Sequence, residues 1–122
     1  MPAPDHTARR RKANRRGHWA EIRAVVALLL TGHRILALRY KTSGGEIDII
    51  AKRGGLVVVI EVKARSTFRN CVEAVTPTNQ RRVHSAADHW LARQKHGERH
   101  SVRFDIVAVV PWRWPRHFKN MF

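Results

Sequence analysis

The sequence predicts an α/β fold of the α+β kind, in which a sheet packs against two helices. A helix-spaced apolar segment lies near the N-terminus, a run of β-branched residues lies at the centre, and an amphipathic helical pattern precedes the last strand. A length of 122 residues fits a single domain, and 43% hydrophobic residues are enough for a modest core. The predicted order of elements is α-β-β-β-α-β.

The first helix is predicted over residues 18–31. Apolar residues recur there at helical spacing, and Gly32 can cap the C-terminus. Apolar side chains cover much of the helix surface, so we expect it to be well buried, with Trp19 at a core position.

Three strands should follow, over residues 33–40, 46–52 and 56–63. The third is the richest in β-branched residues, which favour strands. Gly54-Gly55 separates the second strand from the third and suits a two-residue hairpin loop, because both central positions of such a loop need positive φ.

The second helix is expected to begin at Thr76-Pro77, with threonine as the N-cap and proline at the first helical position. Its amphipathic pattern continues toward Gly97. Residues 66–75 lack periodicity and predict a loop, whereas residues 102–110 alternate as a final strand does.

The charge of the chain points to a polyanionic partner. There are 24 Lys and Arg against 9 Asp and Glu, which gives a formal net charge of +15. Nucleic acid is the first candidate partner and an anionic membrane surface is the second. The longest apolar run, residues 24–30, is far shorter than the ~20 residues that span a bilayer, so no membrane partner is expected.

Cysteine content and the N-terminus suggest location and organisation. A single cysteine, Cys71, excludes an internal disulfide and a cysteine-based zinc site, which favours a cytoplasmic protein. Residues 1–16 carry a net charge of +5 and two prolines, and they predict a basic, disordered leader. The folded domain would then span residues 17–122.

The predicted hairpin brings two acids together. If Gly54-Gly55 forms the loop, Arg53 pairs with Leu56, and Asp48 falls opposite Glu61. Directly opposed residues have Cβ atoms about 4.5–5.5 Å apart, and two carboxylates at that distance repel unless a cation or a shared proton lies between them. Mg²⁺ is bound by such oxygen ligands. Lys63 shares a face with Glu61, and this trio suggests metal-dependent phosphodiester cleavage.

A simpler interpretation remains open at this point. Charged and apolar residues alternate on any half-exposed strand, and the same register places Glu46 opposite Lys63 as an ordinary ion pair. The apolar context of the hairpin argues against it, because charges on a covered strand pair need compensation.

Three motifs closely resemble the YraN family, a group of small bacterial proteins placed in the restriction-endonuclease-like, or PD-(D/E)xK, superfamily. They are residues 44–51, 59–65 and 103–107, and the resemblance extends over roughly residues 17–120. It implies a restriction-endonuclease-like α-β-β-β-α-β core with a mixed sheet flanked by helices.

The resemblance also implies roles for four residues. Asp48 and Glu61 would be ligands of Mg²⁺ or Mn²⁺, Lys63 would position water or stabilise charge, and Glu21 on the first helix would complete the catalytic site. Where many family members carry lysine, this chain has Asn79, so one cation of the family pattern is lost. Residues that flank the proposed site are candidates for nucleic-acid contacts: Lys41, Arg65, Gln80, Arg81 and Arg82.

The sequence therefore predicts a metal-dependent nuclease that acts on DNA rather than RNA, including branched or structured forms. A homodimer would suit cleavage of both strands. Two alternatives remain: a nucleic-acid-binding module on a nuclease-like fold that does not cut, and a structural partner within a larger complex.

Overall fold

A computed structural model of the protein describes the backbone of residues 6–95 and 101–122, and the side chains of residues 17–95 and 101–122. The predicted order α-β-β-β-α-β is confirmed, with one short helix and one short strand in addition. In chain order the elements are α1 (His6–Leu30), β1 (Arg34–Thr42), β2 (Gly45–Arg53), β3 (Leu56–Ala64), α2 (Phe68–Glu73), α3 (Pro77–Ala92), β4 (Ser101–Val109) and β5 (Arg116–Phe118).

The strands form one mixed sheet in the order β1-β2-β3-β4-β5. Strands β1, β2 and β3 are paired antiparallel, β3 and β4 are parallel, and β5 returns antiparallel to β4. A parallel pair cannot be joined by a hairpin, and α3 lies in the crossover between β3 and β4. The mixed sheet flanked by helices is therefore confirmed.

The two faces of the sheet have separate cores. Val58 and Ile60 of β3 pack toward Ala24 and Leu28 of α1. Their neighbours on β3, which point the other way, pack against residues of α3, including Val83. This alternation with period two explains why β3 is apolar along most of its length, since both of its faces are covered.

Helix α1 differs from the prediction in its start and its orientation. It begins at His6, so the segment expected to be disordered is helical from that residue on, and residues 1–5 lie outside the described part. Arginine, lysine and alanine dominate residues 8–16 and favour helix. The prediction for Trp19 was wrong. It is 65% exposed, because Ala20 and Ala24 occupy the core-facing side.

The segment predicted as a loop contains helix α2. The Thr67 side chain accepts a hydrogen bond from the Asn70 amide, and Cys71 of this helix is buried against the end of β4. Six residues are too few to show a helical period, so sequence patterning missed it. The predicted start of α3 is confirmed, with Thr76 as N-cap. The helix ends at Ala92, and Gly97 lies outside the described residues.

Glycine allows the β1–β2 turn to approach α3. A Cβ built on Gly45 would lie 1.9 Å from the carbonyl oxygen of Arg82, a distance no side chain tolerates. The turn before β2 is therefore held against α3 at the end where β2 carries its acids. Across the described residues, no helix has the length and apolarity needed to cross a membrane.

Candidate metal and nucleic-acid site

The hairpin of β2 and β3 has the predicted register. Arg53 is paired with Leu56, and the ladder continues in step to Ile49 opposite Ile60. The next residues in this register are Asp48 and Glu61. Here the Asp48 carboxylate replaces a ladder partner, since its Oδ2 accepts a 2.8 Å hydrogen bond from the backbone amide of Val62.

A local distortion accompanies this position. Ile47 packs on the α3 side of the sheet and Ile49 on the α1 side, although alternate residues of a regular strand share one face. On β1, Arg39 lies between the partners of Ile47 and Ile49, opposite Asp48, and has a φ of 52°. A non-glycine residue with such a φ inside a strand is uncommon and strained. The side chains of β2 therefore switch from one face of the sheet to the other at Asp48, and the backbone of β1 is distorted opposite it.

Glu61 is a buried acid whose negative charge is not fully compensated by a neighbouring cation. Its residue is 6% exposed. Burial, the largest cause, acts together with a hydrogen bond and charge repulsion from Asp48 to raise the pKa of Glu61 to about 9, and Lys63 offsets only part of this shift. The protonated form of Glu61 is therefore favoured at neutral pH when no cation is bound. A divalent cation is the other means of holding two carboxyl groups together.

Lys63 lies beside this pair. Its Nζ atom is 3.8 Å from Oε1 of Glu61, and its side chain is 21% exposed. Lys63 and Asp48 both line a cavity of about 480 Å³. The cavity is bounded by one face of α1 and by the ends of β2 and β3, and its lining residues are Gly17, Ala20, Glu21, Asp48, Val62, Lys63, Ala64 and Arg65. A half-buried acid and a lysine, Asp48 and Lys63, therefore border space open to a ligand, with the buried Glu61 next to them.

Glu21 reaches the same cavity from α1 but has its own partner. The Nε and Nη2 atoms of Arg39 each lie 2.8 Å from Oε2 of Glu21. The guanidinium of Arg39 also contacts His18. No sequence pattern identifies Arg39 as part of this site, because the pairing depends on how α1 lies across β1. Glu21 thus lines the same cavity as Asp48, and its carboxylate is paired with Arg39.

The ion pair between Glu46 and Lys63, which was the simpler interpretation of the hairpin, is not formed. The paired residues of β2 and β3 extend only to Ile49 and Ile60, and Glu46 is instead in register with Lys41 of β1. The nearest acid to Lys63 is on its own strand, at Glu61. This outcome removes the simpler interpretation of the hairpin as an alternating surface pair.

The residues predicted to contact nucleic acid fall on two sides of the molecule. Arg65 lines the cavity with Asp48 and Lys63, whereas Gln80 and Arg81 line a second, open cavity of about 500 Å³ along α3. Arg82 is exposed on α3, and Lys41 is exposed near the β1–β2 turn. Of these five residues, Arg65 is the one that lines the same cavity as Asp48 and Lys63. Within the residues whose side chains are described, no three His, Cys, Asp or Glu side chains form a group that could hold a metal ion.

A second buried acid, Asp105 on β4, is fully compensated. Arg103 donates two hydrogen bonds of 2.8 Å to its carboxylate, His117 lies at 2.6 Å, and the Asn120 amide donates at 2.8 Å. Burial by itself would raise the pKa of Asp105, but these partners outweigh it and lower the pKa to about 2. Asp105 therefore forms a local ion pair with Arg103 and also links β4 to β5 and to the C-terminal segment.

The comparisons with known proteins cover the elements that build the site. The model of the uncharacterised protein family UPF0102 matches residues 20–109, which include Glu21, Asp48, Glu61 and Lys63. The chain belongs to this family. UPF0102 is the YraN family, so the resemblance seen in the motifs is confirmed.

Relatives in UPF0102 match over the whole chain. A UPF0102 protein of Rhizobium meliloti is 56% identical over 122 residues, and one of Sinorhizobium fredii is 52% identical over 122 residues. A third, from Agrobacterium fabrum, is 51% identical over 122 residues. In each case the match covers 100% of both chains.

Proposed function

We propose that this UPF0102 protein is a divalent-metal-dependent nuclease that hydrolyses phosphodiester bonds in DNA. The observation that carries the proposal is the contact between the carboxyl groups of Asp48 and the buried Glu61, with Lys63 3.8 Å from Glu61 and with Asp48 and Lys63 lining an open cavity. Perturbed carboxyl groups in a cleft are typical of functional sites. The chain around them has a formal net charge of +15, which suits a polyanionic substrate.

The donor set fits Mg²⁺ or Mn²⁺. Asp48 and Glu61 offer only oxygen ligands, and one or two carboxylates are usual for Mg²⁺ when water and phosphate complete its shell. A bound ion of this kind supplies Lewis-acid activation of water and of the phosphoryl group. Because Glu61 is protonated at neutral pH, ion binding releases a proton and becomes stronger as pH rises.

The chain's own cations would act on the phosphate. Lys63 places an ammonium group next to the acid pair, where it can orient water or stabilise charge that develops on phosphate oxygens. Arg65 is exposed at the rim of the same cavity and can contact a neighbouring phosphate. The preference for DNA, including branched DNA, is taken from the superfamily resemblance.

The decisive test compares acids on the same hairpin. We expect Glu61→Gln and Asp48→Asn to reduce Mg²⁺- or Mn²⁺-dependent cleavage of DNA at least 100-fold, because each removes a ligand charge. Binding of DNA, measured by fluorescence anisotropy, should be retained. Glu46→Gln is the matched control, since Glu46 is an exposed acid of β2, and it should leave cleavage within about twofold. Unchanged metal-dependent cleavage by both site variants would refute the proposal.

A second candidate function is a binding module that holds nucleic acid without cutting it. The pairing of Glu21 with Arg39 favours it, because the third acid of the cavity is already neutralised. This function predicts salt-dependent binding with no requirement for a divalent ion. Purified protein that binds DNA tightly but cleaves no linear, branched or single-stranded form with either metal would support it.

A further inference from the structure

We propose that the outer face of α1 is an interface that binds a second copy of the chain. The loop between β4 and β5, residues 110–115, forms part of this interface and is called the Trp112 loop. Five large apolar side chains lie along this face in the single chain, and we refer to them as the outer stripe. Their exposed fractions are 65% for Trp19, 45% for Ile22, 43% for Val26, 54% for Leu29 and 71% for Leu30.

The outer stripe has the spacing of a helix-packing seam. Trp19, Ile22, Val26 and Leu29 follow one another at intervals of three, four and three residues, as positions a and d of a heptad do. The opposite side of α1 is already occupied, since Ala20, Ala24 and Leu28 are buried against the sheet. A helix that is apolar on both sides is normally covered on both sides.

The Trp112 loop extends the same surface. Arg23 of α1 donates a hydrogen bond to the carbonyl of Arg113, so the loop lies beside the helix. Trp112 is completely exposed, and its φ of 65° belongs to a β-turn closed by a hydrogen bond from the Arg113 amide to the Val110 carbonyl. Trp114, two residues on, is 61% exposed. Two separate elements thus present large aromatic side chains next to each other.

The exposed area is on the scale of a stable dimer. An aromatic side chain buries about 150–250 Å², so the exposed parts of Trp19, Trp112 and Trp114 supply roughly 350–550 Å². The four aliphatic side chains of the outer stripe add an area of the same order. Specific complexes bury about 800 Å² on each partner, and a single apolar patch of this size is large for a monomer.

A second copy is the occupant that this surface fits best. A stripe with heptad spacing is complementary to another helix with the same spacing, and a two-fold axis through its centre closes the assembly at two chains. The outer stripe itself contains no charged residue. Nucleic acid would instead require cations at the centre of the contact, because phosphates dominate its affinity.

Charge gives the dimer a characteristic salt dependence. Two copies of a chain with a formal charge of +15 repel each other, and added salt screens this repulsion. Association through an apolar stripe should therefore tighten as salt rises. Binding of nucleic acid weakens as salt rises, so the sign of the effect separates the two partners.

The interface is independent of the proposed catalytic site. Gly17, Ala20 and Glu21 line the cavity from another side of α1, and none of them belongs to the outer stripe. A dimer formed through the stripe leaves both cavities open. The inference can therefore hold whether or not the protein cleaves DNA.

Two leucines provide a matched test by sedimentation equilibrium. Leu29 on the outer stripe is 54% exposed and Leu38 on β1 is 55% exposed, so the same substitution removes similar surface at each. We expect the full-length protein to dimerise, and Leu29→Gln to raise the dissociation constant at least tenfold. Leu38→Gln should leave it unchanged. Circular dichroism and thermal melts confirm that each variant is folded.

Crosslinking locates the axis. Val26 lies near the middle of the outer stripe, where helices packed about a two-fold axis bring each residue close to its copy. The natural cysteine, Cys71, is completely buried and does not interfere. Under mild oxidation, Val26→Cys should form a disulfide-linked dimer, and Leu38→Cys should remain monomeric.

Three outcomes would overturn the proposal. The first is a wild-type protein that stays monomeric at 100 µM or above, on the order of the weakest specific dimers, in both low and high salt. The second is a dimer that Leu38→Gln weakens as much as the stripe variant does. The third is a dimer that dissociates when salt is raised.

Discussion

Two buried acids on neighbouring strands of the sheet have opposite electrostatic environments. Asp105 of β4 is paired with Ile60 of β3, and Glu61 is the next residue of β3. Burial and the neighbouring Asp48 raise the pKa of Glu61 to about 9. Burial acts in the same direction on Asp105, yet His117, Arg103 and Asn120 lower its pKa to about 2.

The difference lies in the partners and not in the depth of burial. Asp105 is surrounded by donors that stabilise its charged form, so it can hold the C-terminal segment to the sheet. Glu61 faces another acid and has a single lysine at 3.8 Å. An acid kept in a position that penalises its charge is an indication of function, whereas a compensated acid is an indication of structure.

The largest effect on stability should come from removing the compensated acid. Asp105→Ala leaves Arg103 and His117 without their partner in the interior, and breaking a buried pair in this way destabilises by about 3–5 kcal/mol. Urea unfolding at pH 7 measures the change. A loss below about 1 kcal/mol would show that the cluster is not stabilising the fold.

The proton on Glu61 should give a pH dependence of the opposite sign, which is measured as a slope of stability against pH. Its folded pKa is above the unfolded value of 4.5, so the native state holds the extra proton between pH 4.5 and about 9. Stability of the metal-free protein therefore falls as pH rises through that window, by at most about 1.4 kcal/mol per pH unit for one proton. Glu61→Gln should flatten this slope.

The measurement is a set of urea titrations at pH 5, 7 and 9 in the presence of a chelator. Asp105 does not contribute in this range, because its lowered pKa makes it lose stability only as pH falls below its unfolded value of 3.8 toward 2. Wild-type and Glu61→Gln proteins with the same slope would contradict the raised pKa of Glu61.

The smallest effect is expected for an exposed acid. Glu73 forms an i,i+4 pair with Arg69 on α2, and the two side chains are 61% and 86% exposed. Exposed helix pairs of this kind contribute about 0.2–0.5 kcal/mol. Glu73→Gln should therefore shift the free energy of unfolding by less than that in 1 M salt, where screening removes most of the interaction.

The sequence predicted the parts of the fold that local chemistry determines. Gly54-Gly55 set the hairpin loop, and with it the pairing of Arg53 with Leu56 and the meeting of Asp48 with Glu61. Thr76 and Pro77 set the start of α3. In each case a few neighbouring residues restrict the backbone enough to determine the adjoining element.

The remaining features depend on tertiary contacts. Both sides of α1 are apolar, so periodicity could not show that Trp19 faces outward. Strand β5 has three residues and exists because Asp105 holds His117 and the Asn120 amide. The pairing of Glu21 with Arg39 joins residues 18 positions apart through the docking of α1 on β1. None of these has a local sequence signal.

The bond from the Val62 amide to Asp48 has a consequence for relatives of this protein. Asp48 links β2 to β3 where their backbone hydrogen bonds end. A relative without catalytic activity would therefore still need this residue for folding. The presence of aspartate at this position in a relative is therefore weak evidence for catalysis. A glutamate at position 61 is stronger evidence for catalysis. Its charge is penalised in the metal-free fold, so relatives that do not use it should replace it.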